Sequence, residues 1–293
     1  MSDLESVIAR DAAQPHAYLG AHPSPSGAGA VIRAFRPTAE RVAVWVDGAA
    51  SAVELERVRP EGVFAGELAG ATLPLTYHFE VEYAGGESFP VEDAYRFGPT
   101  LGDMDLHLVG EGRHEELYET LGAHVREIDG VAGVAFAVWA PSARSVSVVG
   151  DFNGWDGRLH QMRSMGSSGI WEIFVPGAAH GDRYKYEIRT QAGALQLRAD
   201  PVAFATEMPP ETASVVHATS YEWGDQAWME RRAAASPWDE PMSVYEVHLG
   251  SWRRDPGDPE RLLSYGELAD QLVTYCTEMG FTHVELMPVM GHP

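Results

Sequence analysis

One stretch of this chain occurs twice, and that repetition limits what it can fold into more than any other feature. Val134 to Trp155 reads as a strand, a turn at Pro141-Ser142-Ala143, a second strand, and an Asp-Phe-Asn-Gly-Trp tip. Val146 and Val148 alternate with Ser145 and Ser147, the period-2 pattern of a strand with one buried face. Asn153-Gly154 is a tight-turn signal, because both residues tolerate positive φ. An earlier copy runs from Ala30 to Asp47, its Pro37-Thr38-Ala39 lying 104 residues before Pro141-Ser142-Ala143. Leu19-Gly20-Ala21-His22 recurs as Leu121-Gly122-Ala123-His124. Three later matches share a spacing of 107: Gly62-Val63-Phe64 with Gly169-Ile170-Trp171, Tyr77–Val81 with Tyr184–Ile188, and Asp93 and Phe97 with Asp200 and Phe204. Short matches that keep their order over the length of a domain predict two tandem all-β domains.

Composition sets the outer limits. The 293 residues fit two domains and part of a third. A net charge of −22 argues against nucleic acid and an anionic membrane as partners, and leaves an uncharged polymer such as a glucan open. Cys276 is the single cysteine, so no intrachain disulfide forms; with no apolar signal segment in view, the expected compartment is the cytoplasm.

In chain order, Ser2 and Glu5 have capping-box spacing and open a helix running to about Ala12. Strands follow near 30–36, 41–46, 63–68 and 76–83, with a hairpin turn at Gly85-Gly86 and a helical connector over 103–121. The second set falls near 134–139, 145–150, 170–175 and 183–189, closed by a turn at Gly193. In 221–241, Trp223, Trp228 and Trp238 predict a linker packed against a neighbour, since three such rings rarely stay in water. From Pro241 the pattern becomes β-α-β. Strand Ser243–Leu249 leads to a helix opened by the capping box Ser264–Glu267, with Leu268, Leu272, Tyr275 and Met279 on its apolar face and Gly280 at its end. Strand Phe281–Met287 completes the unit. A strand, helix and strand of these lengths form a parallel unit. The domains are therefore expected at 1–112 (first sandwich, N-terminal helix and connector), 113–222 (second sandwich) and 223–293 (linker and an incomplete third domain).

These motifs resemble those of the bacterial glycogen (1,4-α-glucan) branching enzymes over nearly the whole chain. The most specific are Leu121-Gly122-Ala123-His124, Trp139-Ala140-Pro141 with Gly150–Trp155, Tyr184-Lys185-Tyr186, and Tyr245-Glu246-Val247-His248-Leu249-Gly250-Ser251-Trp252. The resemblance implies a mainly β chain: two immunoglobulin-like, carbohydrate-module-like sandwiches followed by the first β-α-β unit of an α-amylase-type TIM (β/α)8 barrel. It also implies a glycosyltransferase that cleaves an α-1,4 link and re-forms it as an α-1,6 branch in glycogen, amylose or maltooligosaccharides. No cofactor is called for, and a monomer is expected.

Such a transfer needs two carboxyl groups about 5 Å apart, one nucleophile and one acid/base. In the resembling family these stand on the fourth and fifth barrel strands, beyond the two strands this chain contains. Glu246 and Glu285 lie inside their strands and are read as buried or pairing residues, so no catalytic residue is assigned and the chain alone is expected to be inactive. For sugar binding, the resemblance points to Trp155 as a stacking ring and Lys185 as a hydrogen-bond donor, the roles of the matching residues in the AMP-activated kinase β subunit. The position of that site's second tryptophan is Leu197, and no polar partner is evident near Ser214-Val215. Trp155 has the alternative role of packing against a neighbouring domain. The first copy lacks the tip, since Asp47 leads into Gly48-Ala49-Ala50, and is read as structural. The histidines show no metal-ligand spacing. His248 is read as a core histidine and Cys276 as an inert core thiol. The alternatives to a branching transferase are a non-catalytic glucan-binding or regulatory module, or another α-amylase-type enzyme, debranching or trehalose-releasing.

Overall fold

The computed structural model describes residues 2–25, 27, 29–236 and 238–289. The chain forms two compact units, 1–219 and 220–293.

The first unit contains the repeat. Strands β1 (Gly20–Pro23), β2 (Gly29–Phe35), β3 (Ala39–Val46), β4 (Val53–Glu54), β5 (Glu56–Arg59), β6 (Val63–Ala69), β7 (Tyr77–Tyr83) and β8 (Ser88–Glu92) form two four-stranded sheets, ordered β1-β2-β6-β5 and β4-β3-β7-β8. After helix α2 (Asp103–Glu111), strands β9 (Gly122–Ile128), β10 (Val131–Trp139), β11 (Ala143–Gly150), β12 (Arg163–Ser164), β13 (Ile170–Pro176), β14 (Arg183–Thr190), β15 (Leu195–Arg198), β16 (Ala205–Thr206) and β17 (Ser214–Val215) build the second pair. Here β12-β13-β10-β9 repeats the first order, and β11 pairs β14, which pairs both β15 and β17.

The repeat holds down to register. Phe35 faces Val63 as Trp139 faces Ile170. Val46 faces Tyr77 as Gly150 faces Tyr184, and both ladders slip by one residue at the same place, between Ala39 and Arg41 and between Ala143 and Ser145. Even the buried polar contacts recur. Tyr77 Oη donates to Asp93 Oδ2 at 2.6 Å, and Tyr184 Oη to Asp200 Oδ2 at 2.6 Å.

Helix α1 (Asp3–Ile8) starts on the expected Ser2/Glu5 capping box but ends four residues earlier than its apolar pattern implies. Val7 and Ala12 then pack with Leu19, Phe35 and Val63 of the first sandwich. The same segment also reaches the second sandwich: Gln161 Nε2 donates to the Val7 carbonyl at 3.0 Å, and Ser164 N to the Ala13 carbonyl at 2.8 Å. This changes the reading of β11. Ser145 and Ser147 are not a solvent face; both are buried, at 5% and 4% exposure, because residues 9–11 and 156–162 lie over them. Alternation marks two faces of a strand, and here both are covered.

In the second unit, β18 (Val244–Val247) and β19 (His283–Leu286) pair in parallel, Val244 with His283 through Val247 with Leu286. Between them α5 (Tyr265–Met279) opens on the expected Ser264/Glu267 capping box, and Gly280 caps its end. Leu268, Leu272 and Cys276 form its buried face, whereas Met279 is exposed. The first strand is shorter than expected because a short helix, α4 (Leu249–Trp252), begins at His248. That histidine is exposed and hydrogen-bonds Ser251 Oγ through Nδ1 at 2.8 Å, so it is a helix-start residue rather than a core one. Helix α3 (Gln226–Ala234) carries Trp228, and the expected tryptophan packing is not found within this unit: Trp223, Trp228 and Trp238 are all exposed, Trp238 at 93%. Trp228 lies under the Arg232 guanidinium and Trp223 meets Tyr221 edge-on, and these flanking contacts leave much of each ring uncovered.

Candidate functional site

The tip after β11 is built by its asparagine. Residues Asp151–Asn153 form a single 3-10 turn, and Asn153 is buried beneath it. Its Oδ1 accepts from Gly150 N at 2.9 Å, and its Nδ2 donates to the Val148 carbonyl and meets His160 Nδ1, both at 3.0 Å. These bonds hold Asn153 in the turn, so positive φ falls one residue later than the Asn-Gly signal implies, on Gly154 (60°) and Trp155 (63°). A left-handed tryptophan costs on the order of 1 kcal/mol, which the surrounding bonds must offset. Trp155 N donates to the Gly150 carbonyl at 3.0 Å, and Nε1 to Asp151 Oδ1 at 3.3 Å. The ring is thus fixed at its polar edge while 38% of the residue stays exposed. Asp151 is itself held by Arg183, whose Nε and backbone N both reach Oδ2, at 2.9 and 3.0 Å. The Arg183 guanidinium holds the Asp151 carboxyl below its usual range.

Along β14 the outward residues are Arg183, Lys185, Glu187 and Arg189, spaced about 7 Å apart as alternate strand positions are. Lys185 lies opposite Val149, two residues before the tip begins, so both expected sugar-binding residues stand at the same end of one sheet. Lys185 Nζ donates to Thr212 Oγ1 at 2.7 Å. Thr212 is the polar neighbour that sequence reasoning missed. It sits two residues before Ser214, which is a core group whose Oγ accepts from Asp200 N at 2.9 Å. Leu197 pairs with Glu187 on β15 and is exposed, so the second platform position offers aliphatic contact without a ring face. In the first sandwich His78 stands where Lys185 does and β3 runs straight into a turn; it carries no such tip.

The support beneath the tip is sensitive to acid. Burial pushes the His160 imidazole down to about 3, with Arg36 adding repulsion. Because the folded pKa lies below the ordinary 6.5, the stabilising contribution is present above pH 6.5 and is lost as pH falls towards 3; fully expressed it is on the order of 4 kcal/mol. An imidazolium would also turn Nδ1 into a donor facing the Asn153 amide. The His160 C2-proton is expected not to titrate between pH 8 and about 4.5 by NMR, while urea midpoints fall over that range. An NMR midpoint near 6.5 would refute this.

The second unit places two of its carboxylates opposite each other. Glu246 and Glu285 face each other across β18 and β19, and both are exposed rather than buried. Each is the third residue of a four-residue strand, one short of its C-terminal end, so neither lies deep inside its strand as the sequence implied. Among the described residues no group of three or more His, Cys, Asp or Glu could hold a metal ion, and no helix is long and apolar enough to cross a membrane.

Two β-sandwiches of related topology, the second carrying a fixed, half-open indole at one end of a sheet, define a chain built from tandem β-sandwich domains. Comparison with known proteins agrees. Residues 120–203 match the family described as carbohydrate-binding module 48 (isoamylase N-terminal domain), and residues 1–95 match that described as alpha-1,4-glucan branching enzyme GlgB, N-terminal domain. The chain belongs to the 1,4-alpha-glucan branching enzyme family and corresponds to the N-terminal portion of its members. It is 53% identical over all of its length to a 1,4-alpha-glucan branching enzyme GlgB of Myxococcus xanthus, covering 40% of that protein. It is 52% identical to those of Frankia casuarinae, over 99% of this chain and 35% of that one, and Thermobifida fusca, over 100% and 38%. The chain therefore spans about two-fifths of the length of the relatives it matches.

Proposed function

We propose that this chain serves a 1,4-alpha-glucan branching enzyme as its non-catalytic N-terminal part, and that its second sandwich holds the α-glucan that is cleaved and re-joined as an α-1,6 branch. The supporting observation is the 53% identity to a branching enzyme, which continues through both sandwiches and into the β-α-β unit. On this reading β18, α5 and β19 open an α-amylase-type TIM barrel; their parallel pairing and the 15-residue helix between them support it. The domain limits stay at 1–112, 113–222 and 223–293. The same reading makes the protein a cytoplasmic monomer acting on glycogen, amylose or maltooligosaccharides; the free, buried Cys276 supports a reducing compartment.

Within the second sandwich, Trp155 stacks on the apolar face of a glucose ring and Lys185 donates to a hydroxyl. With Leu197 in place of a second ring, binding of maltoheptaose to the 293-residue chain is expected to be weak, roughly millimolar, about 4 kcal/mol. Trp155→Ala should make it undetectable by titration calorimetry, because the ring supplies most of the contact area of so shallow a site. Tight binding that survives Trp155→Ala would place the glucan elsewhere.

A further inference from the structure

The N-terminal segment meets the second sandwich beside the place where the sugar would lie. After α1, the Arg10 carbonyl accepts from Ser145 Oγ at 2.6 Å and Arg189 Nε at 3.1 Å, and the Ala9 carbonyl accepts from Arg189 Nη2 at 2.7 Å. Asp11 adds an ion pair to Arg144. Pinned in this way, Arg10 takes a φ of 55°, left-handed for a residue with a side chain. Its side chain runs to β14, where Nη1 donates to Glu187 Oε1 at 2.7 Å. Gly157, two residues past Trp155, closes over the same carboxylate, and a Cβ there would collide with Glu187. The turn bearing Trp155, the strand bearing Lys185 and the N-terminal segment therefore converge on Glu187.

What they leave open suits a neutral sugar. The Arg10 side chain is 28% exposed and that of Glu187 15%. Among the described residues Nη1 alone donates to a protein acceptor, leaving further guanidinium N–H groups for a ligand. Glu187 is the next outward residue after Lys185, about 7 Å along the strand and so within the reach of one or two pyranose rings. A sugar diol both donates and accepts, and an arginine paired with a carboxylate presents the complementary acceptor and donor side by side.

We infer that Arg10, delivered by the N-terminal segment, is a direct glucan ligand of the Trp155–Lys185 site, and that the Arg10–Glu187 pair holds the hydroxyls of the sugar over Leu197, where no second ring is present. This rests on the reading of Trp155 and Lys185 given above. It makes the site a joint product of both sandwiches, because the segment carrying Arg10 is anchored in the first sandwich through Val7 and Ala12.

The test is a maltoheptaose titration of the 293-residue chain and its variants. Arg10→Ala is expected to weaken binding about tenfold and Arg10→Lys less, with Trp155→Ala abolishing it. Binding by Arg10→Ala equal to wild type, with Trp155→Ala still inactive, would overturn the role of Arg10 and leave the Trp155 site standing. A wild-type chain that binds no maltoheptaose would overturn both. Should Arg10→Ala fail to fold, the wild-type protein decides the matter. The Arg10 Nε–Hε NMR signal, assigned through the backbone, must shift as maltoheptaose is added, and a signal unmoved at saturation refutes the inference.

Discussion

Asp200→Ala is expected to destabilise the first unit by about 4 kcal/mol at pH 7, read as a lower urea midpoint with an unchanged slope. The residue stands where three donors meet. Its Oδ2 accepts from Tyr184 Oη at 2.6 Å and Tyr186 Oη at 3.2 Å, and its Oδ1 from Val202 N at 2.9 Å. Both phenols lie in the core of the second sandwich; truncation takes from Tyr184 Oη its 2.6 Å acceptor and leaves Tyr186 Oη only the Ala137 carbonyl at 3.4 Å, at about 1–3 kcal/mol for each weakened hydroxyl. Asp93→Ala should cost less, because Asp93 accepts from one phenol, Tyr77, and one backbone amide. Burial also raises the Asp200 carboxyl above its ordinary 3.8, against the hydrogen bonds that lower it. A carboxyl with a raised folded pKa contributes its full stability below pH 3.8 and loses it as pH rises through the folded value. Wild type should therefore gain on Asp200→Asn as the solution is acidified. A cost for Asp200→Ala below about 1 kcal/mol would mean that water satisfies the stranded phenols.

The 293-residue chain is expected to introduce no α-1,6 links into amylose, with the iodine spectrum unchanged after prolonged incubation. Retaining transfer requires a nucleophile and an acid/base about 5 Å apart, both reaching one sugar ring. Asp93 and Asp200 are consumed in structural hydrogen bonds inside the sandwiches. Glu246 and Glu285 are exposed neighbours within a two-stranded parallel sheet, both open to water, so burial does not set one carboxyl apart from the other. Losing such a pair removes the chemistry as a whole, so the expected effect is many orders of magnitude rather than a partial fall. The two-stranded sheet leaves Val244, Val284 and Leu286 exposed, which predicts that chains ending near Trp238 are more soluble. A shifted iodine spectrum with the purified chain would overturn the assignment of no catalytic residue.

What the sequence determined by itself is whatever local chemistry dictates. The two copies and their likeness to each other follow from alternation and from repeated turn residues, and the slip after Ala39 recurs after Ala143, each beside a Pro-x-Ala turn. The capping boxes at Ser2 and Ser264 act over three residues and were legible for that reason. Trp155 and Lys185 were legible as residues from their motifs, Asp-Phe-Asn-Gly-Trp and Tyr-Lys-Tyr. Their surroundings were not. That Ser145 and Ser147 are buried, that Thr212 rather than Ser214 meets Lys185, and that Arg10 reaches Glu187 depends on segments 14 to 177 residues apart. No periodicity spans such distances. Which segment covers a polar strand face is settled by packing and by the backbone groups needing partners there, as the carbonyls of Ala9 and Arg10 find theirs on Arg189 and Ser145.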